Sequence, residues 1–254
     1  MSVFERCLEK CRARKGVVVY SDGEDRRVVS AAAKLIREGL VEPILIGDPE
    51  KVRTALQESG ETGVSLQVVN PYNPALLQHN AAEYMAIQKA KGKDISEEEA
   101  VKAVKNPLAA GALMVRRGEA EIGVAGNLSS TADVIRAGLR MVGTAAGSKT
   151  VSSFFFMLKD NRVCMFTDCA VIPEPTSAQL ADIAISTADV YKRVMGDEAR
   201  VALLSFSTKG SAKHERVDKV RAALEEIKTR EPNLLVDGEL QLDAAVEPEV
   251  ARLK

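Results

Sequence analysis

The sequence predicts an α/β protein made of two doubly wound α/β domains with a cleft between them. Short runs of Val, Ile and Leu alternate with amphipathic helical stretches along the 254 residues, which is typical of parallel strands joined by helices. Hydrophobic residues make up 46% of the chain and charged residues 28%, the balance of a soluble protein with a real core. A stretch of small residues at 145–149 interrupts the pattern. We therefore expect domains at 1–147 and 148–254.

Composition argues against several classes of partner. The chain has 35 basic and 36 acidic residues and a net charge of -1, with no basic stripe, so we expect no nucleic-acid binding. No run approaches the roughly 18 apolar residues of a membrane span. Residues 1–14 mix charged and apolar side chains and lack the apolar core of a secretory signal. The expected location is the cytoplasm.

The cysteine content agrees with a reducing compartment, where thiols stay free. Cys7 and Cys11 are four residues apart on one face of a predicted N-terminal helix, while Cys164 and Cys169 lie in the second domain. The chain has only two histidines, and no second pair stands at metal-ligand spacing. We expect no metal site, and we interpret Cys7 and Cys11 as buried helix cysteines.

In the first domain, strands and helices alternate from the start. Glycine and proline mark the helix ends. Gly39 closes the first helix that follows a strand, Asp48-Pro49 opens the second, and Pro107 divides a long helical tract. The predicted strands are 16–20, 43–47, 65–69 and 121–125. The predicted helices are 26–38, one opening at 48, a tract from 74 to 118 broken near 92–95 and at 107, and 129–139.

In the second domain, two adjacent strands joined by the turn 159–161 predict a hairpin. The α/β alternation then resumes, and the chain stops within a charged helical stretch. The predicted strands are 151–158, 162–167, 201–206 and 234–236, and the predicted helices are 176–195, 213–230 and 244–253.

Ligands of open α/β sheets bind beyond the carboxyl ends of the strands, and the loop at 125–136 follows such a strand. Gly126 turns the backbone out of the strand, and Ser129 or Ser130 caps the next helix, whose amino end suits an anion. Arg136 lies two turns into that helix and offers a bidentate fork. The same residues also fit an ordinary capped helix, because Ser130 and Asp133 have capping-box spacing.

A second loop, at 205–213, carries hydroxyl groups, a glycine and Lys209 between a buried strand and a helix. This composition favours a phosphate cradle that includes Lys209 and Ser211, although it is not the P-loop pattern. The alternative is a polar turn between strand and helix.

Two further strand exits carry reactive groups. Cys169 follows an apolar strand, but no histidine lies nearby in sequence and Asp168 disfavours a thiolate, so a cysteine that lines a pocket is the better interpretation than a nucleophile. The exit at 237–243, which includes Asp243, has three carboxylates that either orient a substrate, act as a base, or cap the following helix. The chain lacks the dinucleotide-binding glycine fingerprint, a Walker A motif and a zinc-type histidine pair, which argues against a dehydrogenase or a kinase.

Four of these stretches together closely resemble phosphate acetyltransferases (phosphotransacetylases). Residues 21–26 and 106–108 add weaker similarity. The sequence Gly-Asn-Leu-Ser-Ser-Thr-Ala is most similar to phosphate acetyltransferases of the ethanolamine-utilisation type. The resemblance covers essentially the whole chain. The stretches are Ala125–Leu139, Thr167–Val171 with Pro173–Ser177, Leu204–Ala212 and Val236–Ala245.

This resemblance implies acetyl transfer between acetyl phosphate and coenzyme A in acetate metabolism, in a cleft between two domains of a homodimer. It implies no bound cofactor, with coenzyme A as a substrate. Arg136 matches a family arginine that grips phosphate, and Cys169 matches a cysteine that is not the nucleophile. The implied phosphate-binding residues are Ser129, Ser130, Thr131 and Arg136, and the implied cleft-lining residues are Asn127, Cys169, Lys209, Ser211 and Asp243.

The chain departs from the family pattern at two places. Gln88 stands where many members have an arginine, so Lys89 or Lys91 has to compensate. Family members also continue past the position of Lys254 into a segment that supplies a serine, an arginine and an aspartate. We therefore expect an incomplete second domain and little activity from these 254 residues alone. The alternatives are phosphate butyryltransferase activity and a non-catalytic domain for assembly or acetyl-coenzyme A sensing.

Overall fold

The computed structural model describes residues 3–145, 148–159 and 162–254. The chain divides into two compact units, Phe4–Gly143 and Thr144–Lys254. Gly147, at the boundary expected from the sequence, and two residues of the expected hairpin turn, Asp160 and Asn161, lie outside the described residues.

The first unit is built on a four-stranded parallel sheet in the order β3-β2-β1-β4. The central strand β1 pairs on both sides, so that Val19 lies opposite Ile44 of β2 and Gly123 of β4. The valine and isoleucine of these runs favour strands, and helices cover both faces of β1 and β2. The strands are β1 Gly16–Tyr20, β2 Val41–Ile46, β3 Gln67–Val69 and β4 Ile122–Val124.

Side chains that alternate along these strands point to opposite faces, and each face packs on its own helices. Val18 and Leu45 pack against apolar residues of α2 and α3, whereas Val19 and Ile46 pack against apolar residues of α6. The doubly wound arrangement predicted for the first domain is therefore present. The helices are α1 Val3–Ala13, α2 Arg26–Arg37, α3 Pro49–Glu58, α4 Pro74–Ala90, α5 Glu97–Val104, α6 Pro107–Arg117 and α7 Thr131–Ala137.

The helix predicted at 129–139 is shorter than expected. It begins after its cap Ser130 and ends at Ala137, and a π-helical segment, Gly138–Val142, continues it. Gly138 weakens the regular helix, and wide turns of this kind occur often at functional sites.

The interpretation of Cys7 and Cys11 as buried residues was wrong. Both thiols are only half-buried, and α1 has no fully buried residue. Charged side chains occupy five of the eleven positions of this helix, so it can bury only a narrow stripe.

The second unit contains two separate two-stranded sheets among its described residues. The hairpin strands β5 Phe154–Lys159 and β6 Arg162–Thr167 pair in antiparallel fashion, as predicted. The strands β7 Arg200–Leu204 and β8 Leu235–Leu240 pair in parallel. The helices α8 Ser177–Met195 and α9 Glu215–Arg230 pack on this parallel pair through one apolar core.

Two expectations for the end of the chain were wrong. Strand β8 continues to Leu240, so that Asp237 and Glu239 lie within a strand and not at its exit. The single helix expected at 244–253 is two short helices, α10 Leu242–Val246 and α11 Pro248–Leu253, because the proline ring prevents a helix from running through position 248.

Candidate active site

A cavity of about 510 Å³ opens in the first unit, beyond the carboxyl ends of β1 and β2. This is where an open parallel sheet is expected to hold its ligand. Its polar lining comes from the β1 exit, the β4 exit, the amino end of α6 and the π-helical segment. The polar lining residues are Ser21, Asp22, Glu24, Tyr72, Asn106, Ser129, Ser130, Asp133, Arg136 and Arg140.

Ser21 forms the point where the strand meets the cavity. Its amide donates to the carbonyl of Val124 (3.0 Å), which extends the β1–β4 ladder by one residue. The side chain is 6% exposed, and among the described residues its hydroxyl has no hydrogen-bond partner. Gly111 of α6 makes this position possible, since a Cβ there would lie 2.6 Å from the Ser21 oxygen.

Asp22 organises the loop that follows β4. Its Oδ2 accepts hydrogen bonds from the amides of Gly126 and Asn127, both at 2.8 Å, and Gly126 adopts the left-handed φ of 110° that the turn requires. Two amides of the loop that precedes α7 are therefore used by a carboxylate of the protein. Asp22 lines the cavity, and its other carboxylate oxygen accepts no hydrogen bond from the described residues.

The start of α7 is a closed local network. Ser130 Oγ accepts from the amide of Asp133 (3.2 Å) and donates to its Oδ2 (2.7 Å), while Arg136 forms an ion pair with the same carboxylate. The Ser130 hydroxyl and then Arg136 hold the pKa of Asp133 below its ordinary value. The prediction that Ser130 caps the helix is thus confirmed. Arg136 lines the cavity and at the same time forms its ion pair with Asp133.

Sequence reasoning missed Arg140. It lies four residues after Arg136, within the π-helical segment, and lines the same cavity. The segment is fixed from behind by Arg116, whose guanidinium donates to the carbonyls of Met141 (3.3 Å) and Val142 (3.1 Å). The signal in the sequence was the spacing of four residues between Arg136 and Arg140, which marks one face of a helix. The sequence does not show what that face contacts.

The opposite wall consists of side chains that already have hydrogen-bond partners within the protein. Asn106 caps α6, accepting from the Ala109 amide (2.8 Å) and donating to the Ala103 carbonyl (3.0 Å). Glu24 pairs with Lys51 (3.0 Å) and accepts from the Asp48 amide (2.9 Å). Both residues shape the cavity, and their side chains are committed to the fold.

The second unit has an internal anion of its own. Glu239 of β8 is 2% exposed, and its carboxylate accepts from Ser207 Oγ (2.8 Å), the Gly210 amide (2.7 Å) and the Arg221 guanidinium (2.8 and 3.2 Å). The hydrogen bonds of Arg221 above all lower the pKa of Glu239 to about 2. The loop predicted as a phosphate cradle is therefore wrapped around a side chain of the protein.

The remaining predicted residues of this loop and of the chain end also have partners in the second unit. Lys209 forms an ion pair with Asp237. Ser211 Oγ accepts from the Thr208 amide (3.0 Å). Asp243 forms an ion pair with Lys254 (2.8 Å).

Cys169 lies in a third loop held by a carboxylate. Its amide donates to Ser153 Oγ (3.1 Å), and its thiol donates to the Phe166 carbonyl (3.1 Å). Asp168 accepts from the amides of Ile172 (2.7 Å) and Ser153 (2.8 Å), among others. Burial raises the pKa of Asp168, but these hydrogen bonds outweigh it and the pKa falls below its ordinary value.

The cavity of the first unit thus brings together three of the predicted phosphate-binding residues, Ser129, Ser130 and Arg136. Thr131 begins α7 beside them, and Asn127 contributes its amide to the Asp22 contact. The predicted cleft-lining residues Cys169, Lys209, Ser211 and Asp243 belong to the second unit, and their part in a shared cleft stays a prediction. Among the described residues no three His, Cys, Asp or Glu side chains are grouped to hold a metal ion.

Comparisons with known proteins show the family of the chain. The sequence profile of the family described as phosphate acetyl/butaryl transferase matches residues 2–254. A phosphate acetyltransferase of Thermoanaerobacterium thermosaccharolyticum is 39% identical over 260 residues, which cover 100% of this chain and 78% of that protein.

Two solved structures have the same fold. A phosphotransacetylase from Streptococcus pyogenes superposes with a TM-score of 0.91 at 37% identity, over 99% of this chain and 76% of the other. The EutD phosphotransacetylase from Staphylococcus aureus gives 0.88 at 33% identity, over the same shares of the two chains.

Proposed function

We propose that this chain, which belongs to the phosphate acetyl/butaryl transferase family, transfers an acetyl group between acetyl phosphate and coenzyme A. The observation that carries the proposal is the family match over residues 2–254, together with 39% identity to a phosphate acetyltransferase over the whole chain. The cavity of the first unit adds a site with two arginines and three serines, which suits a phosphoryl group.

The reaction needs a nucleophile, an electrophile and a leaving group, all from the substrates. The thiolate sulfur of coenzyme A attacks the carbonyl carbon of acetyl phosphate, a carbon–sulfur bond forms, the carbon–oxygen bond to phosphate breaks, and phosphate leaves. Coenzyme A acts as a substrate, and no bound cofactor enters the scheme. A coenzyme A thiol near the ordinary pKa of about 8.5 loses its proton to a modest base at neutral pH.

The contribution of this chain in the scheme is to hold phosphate. Arg136 offers a charged fork, and the hydroxyls of Ser129 and Ser130 lie on the same cavity wall. Ordered donors aimed at a phosphoryl group stabilise the charge that collects on it as the bond to the acetyl carbon breaks. Thr131 is proposed to belong to the same group of donors.

The assembly is proposed from the family resemblance, and the location is proposed from the sequence. We place the protein in the cytoplasm as a homodimer, and apolar side chains of the β5–β6 hairpin, including Phe155 and Leu158, are exposed in the single chain and would supply apolar area to a subunit contact. No described helix has the length and apolar character needed to span a membrane. Sedimentation velocity tests the dimer, and a single monomeric boundary at micromolar concentration would contradict it.

Thioester formation from acetyl phosphate and coenzyme A, followed by ultraviolet absorbance, tests the activity. It is measured for the 254-residue chain and for a hybrid that carries the region of the Thermoanaerobacterium relative left uncovered by the match. Turnover in either protein, with acetyl phosphate preferred over butyryl phosphate, is the expected result. Absence of turnover in both, with calorimetry showing no binding of coenzyme A or acetyl phosphate, contradicts the proposal.

A further inference from the structure

We infer that Arg140 joins Arg136 to hold a single phosphoryl dianion in the cavity of the first unit. This inference rests on the proposed function and adds to it a binding residue that family resemblance did not supply. Both arginines line the cavity, and both side chains are largely exposed to it or to solvent.

The cavity has one lining cation, Arg140, that makes no ion pair with the described residues. Its three carboxylates have donors of their own: Asp22 from two backbone amides, Glu24 from Lys51, and Asp133 from Ser130 and Arg136. Arg140 has no ion pair or hydrogen bond among the described residues. The described part of the chain therefore leaves the Arg140 guanidinium available to a bound anion.

The spacing of the two arginines adds to this imbalance. Like charges at i and i+4 on a helix repel each other, and Asp133 offsets only the first of them. A doubly charged anion between the two guanidinium groups removes the repulsion and accepts a fork from each. A phosphoryl group is the common biological anion with that charge and with three acceptor oxygens.

The backbone that carries Arg140 is held in place. Met141 is buried, and Arg116 donates to the carbonyls at the end of the π-helical segment. Because the two residues that follow Arg140 are fixed in this way, the direction of the Arg140 side chain toward the cavity does not depend on a free loop.

The floor of the cavity supplies an independent indication of a ligand. Ser21 is 6% exposed as a residue and lines the cavity, and its hydroxyl makes no hydrogen bond to the described residues. The hydroxyl oxygen is open to the cavity and is not enclosed in the protein. An acceptor oxygen of a bound phosphoryl group satisfies it, and the amino end of α6 at Pro107 and Leu108 favours a negative charge beside it.

Two substrates carry a suitable group: the reacting phosphoryl of acetyl phosphate (or product phosphate) and the 3′-phosphate of coenzyme A. Isothermal calorimetry of the 254-residue protein with inorganic phosphate, acetyl phosphate, coenzyme A and dephospho-coenzyme A separates them. The variants are Arg140→Gln and Arg140→Lys. The matched control is Arg12→Gln, which removes an exposed charge of α1 outside the cavity.

We expect Arg140→Gln to weaken binding of the phosphoryl ligand by roughly 10- to 150-fold, the loss of one charge-assisted hydrogen bond. Arg140→Lys should restore part of the affinity, and Arg12→Gln should bind as the wild type does. A loss for inorganic phosphate and acetyl phosphate assigns the site to the reacting group. A loss for coenzyme A that dephospho-coenzyme A does not show assigns it to the 3′-phosphate.

Equal affinities of the wild type and Arg140→Gln for all four ligands overturn the inference, as does a wild type that binds none of them. Turnover is scored separately. An active wild type with unchanged binding in Arg140→Gln leaves the proposed function standing and removes only the role of Arg140.

Discussion

The loop after β4 in the first unit and the loop after β7 in the second unit are held in the same way. In each, a carboxylate accepts hydrogen bonds from the loop: Asp22, just after the neighbouring strand β1, from Gly126 and Asn127, and Glu239, within the neighbouring strand β8, from Ser207 and Gly210. Both loops had the glycine and hydroxyl content that predicts an anion site. In both, an anion of the protein takes the amides.

The two loops differ in how many oxygens of the carboxylate accept hydrogen bonds. Both oxygens of Glu239 are used, since Arg221 adds two hydrogen bonds to those of the loop. Asp22 uses one oxygen, and beside it lie the arginines of the cavity and the hydroxyl of Ser21, which makes no hydrogen bond to the described residues. A fully paired internal anion marks a structural loop, whereas a partly paired one beside unpaired donors marks a site that still has room for a ligand.

The largest effect that this comparison predicts is on stability. Among the described residues, Glu239 is the carboxylate that Arg221, Ser207 and Gly210 share, and Glu239→Ala takes this acceptor from the buried Ser207 hydroxyl, the Gly210 amide and the partly exposed guanidinium. We expect it to lower the free energy of unfolding of the second unit by about 3–5 kcal/mol. Urea unfolding followed by circular dichroism measures the loss, and hydrogen exchange of β7 and β8 peptides locates it.

The matched control is Asp237→Ala in the same strand. Asp237 forms a largely exposed ion pair with Lys209, and such pairs contribute about 0–1 kcal/mol. Equal losses for the two variants would show that the Glu239 network is no more than a surface pair.

The same carboxylate makes the second unit sensitive to acid. The pKa of Glu239 is lowered to about 2 from 4.5, so its stabilisation is complete above pH 4.5 and is lost as the pH falls toward 2. Arg221 is partly exposed, so we expect about 2–3 kcal/mol. Glu239→Gln should therefore be less stable than wild type at pH 6, and the gap should close below pH 4.5. A gap that stays constant down to pH 2.5 would contradict the assignment.

In the first unit the corresponding loss should be smaller. Asp22→Ala strips the acceptor from the amides of Gly126 and Asn127, but the cavity admits water to them, and we expect a cost of about 1–2 kcal/mol in unfolding free energy. Asp22→Asn keeps an oxygen acceptor in place and should stay within about 0.5 kcal/mol of wild type. If Asp22→Ala costs as much as Glu239→Ala, the distinction between the two loops fails.

The smallest effect is expected at the third loop. A serine at position 169 can donate to the Phe166 carbonyl as the thiol does, so Cys169→Ser should retain at least about a tenth of wild-type turnover in the thioester assay. The tenfold margin corresponds to about 1.4 kcal/mol. Complete loss of turnover in a folded Cys169→Ser protein would make the thiol a nucleophile.

Much of the fold could be predicted from local pattern. Asp48-Pro49 opens α3, and Pro107 separates α5 from α6, as expected. The errors lie where tertiary contacts decide. The register with β7 extends β8 through Asp237 to Leu240, and no local signal distinguishes those carboxylates from a polar strand exit.

The site was predictable in part. Ser129, Ser130 and Arg136 could be proposed because they follow a strand within one loop. Asp22 and Arg140 could not be assigned from the sequence, because their roles depend on which strand lies beside β1 and on a π-helical turn that changes the direction of residue 140. Glu239 was mistaken for an exit residue for the same reason: its donors come from a loop about thirty residues earlier in the chain.

Gly111 gives the cavity an unusual mutational sensitivity. One methyl group at this position would lie 2.6 Å from the Ser21 oxygen, so that α6 would have to back away from β1 or the serine would have to turn. Either response changes the depth of the cavity without altering a charged residue. A single substitution at this buried helix position can therefore change the volume available to a substrate, although Gly111 carries no functional group.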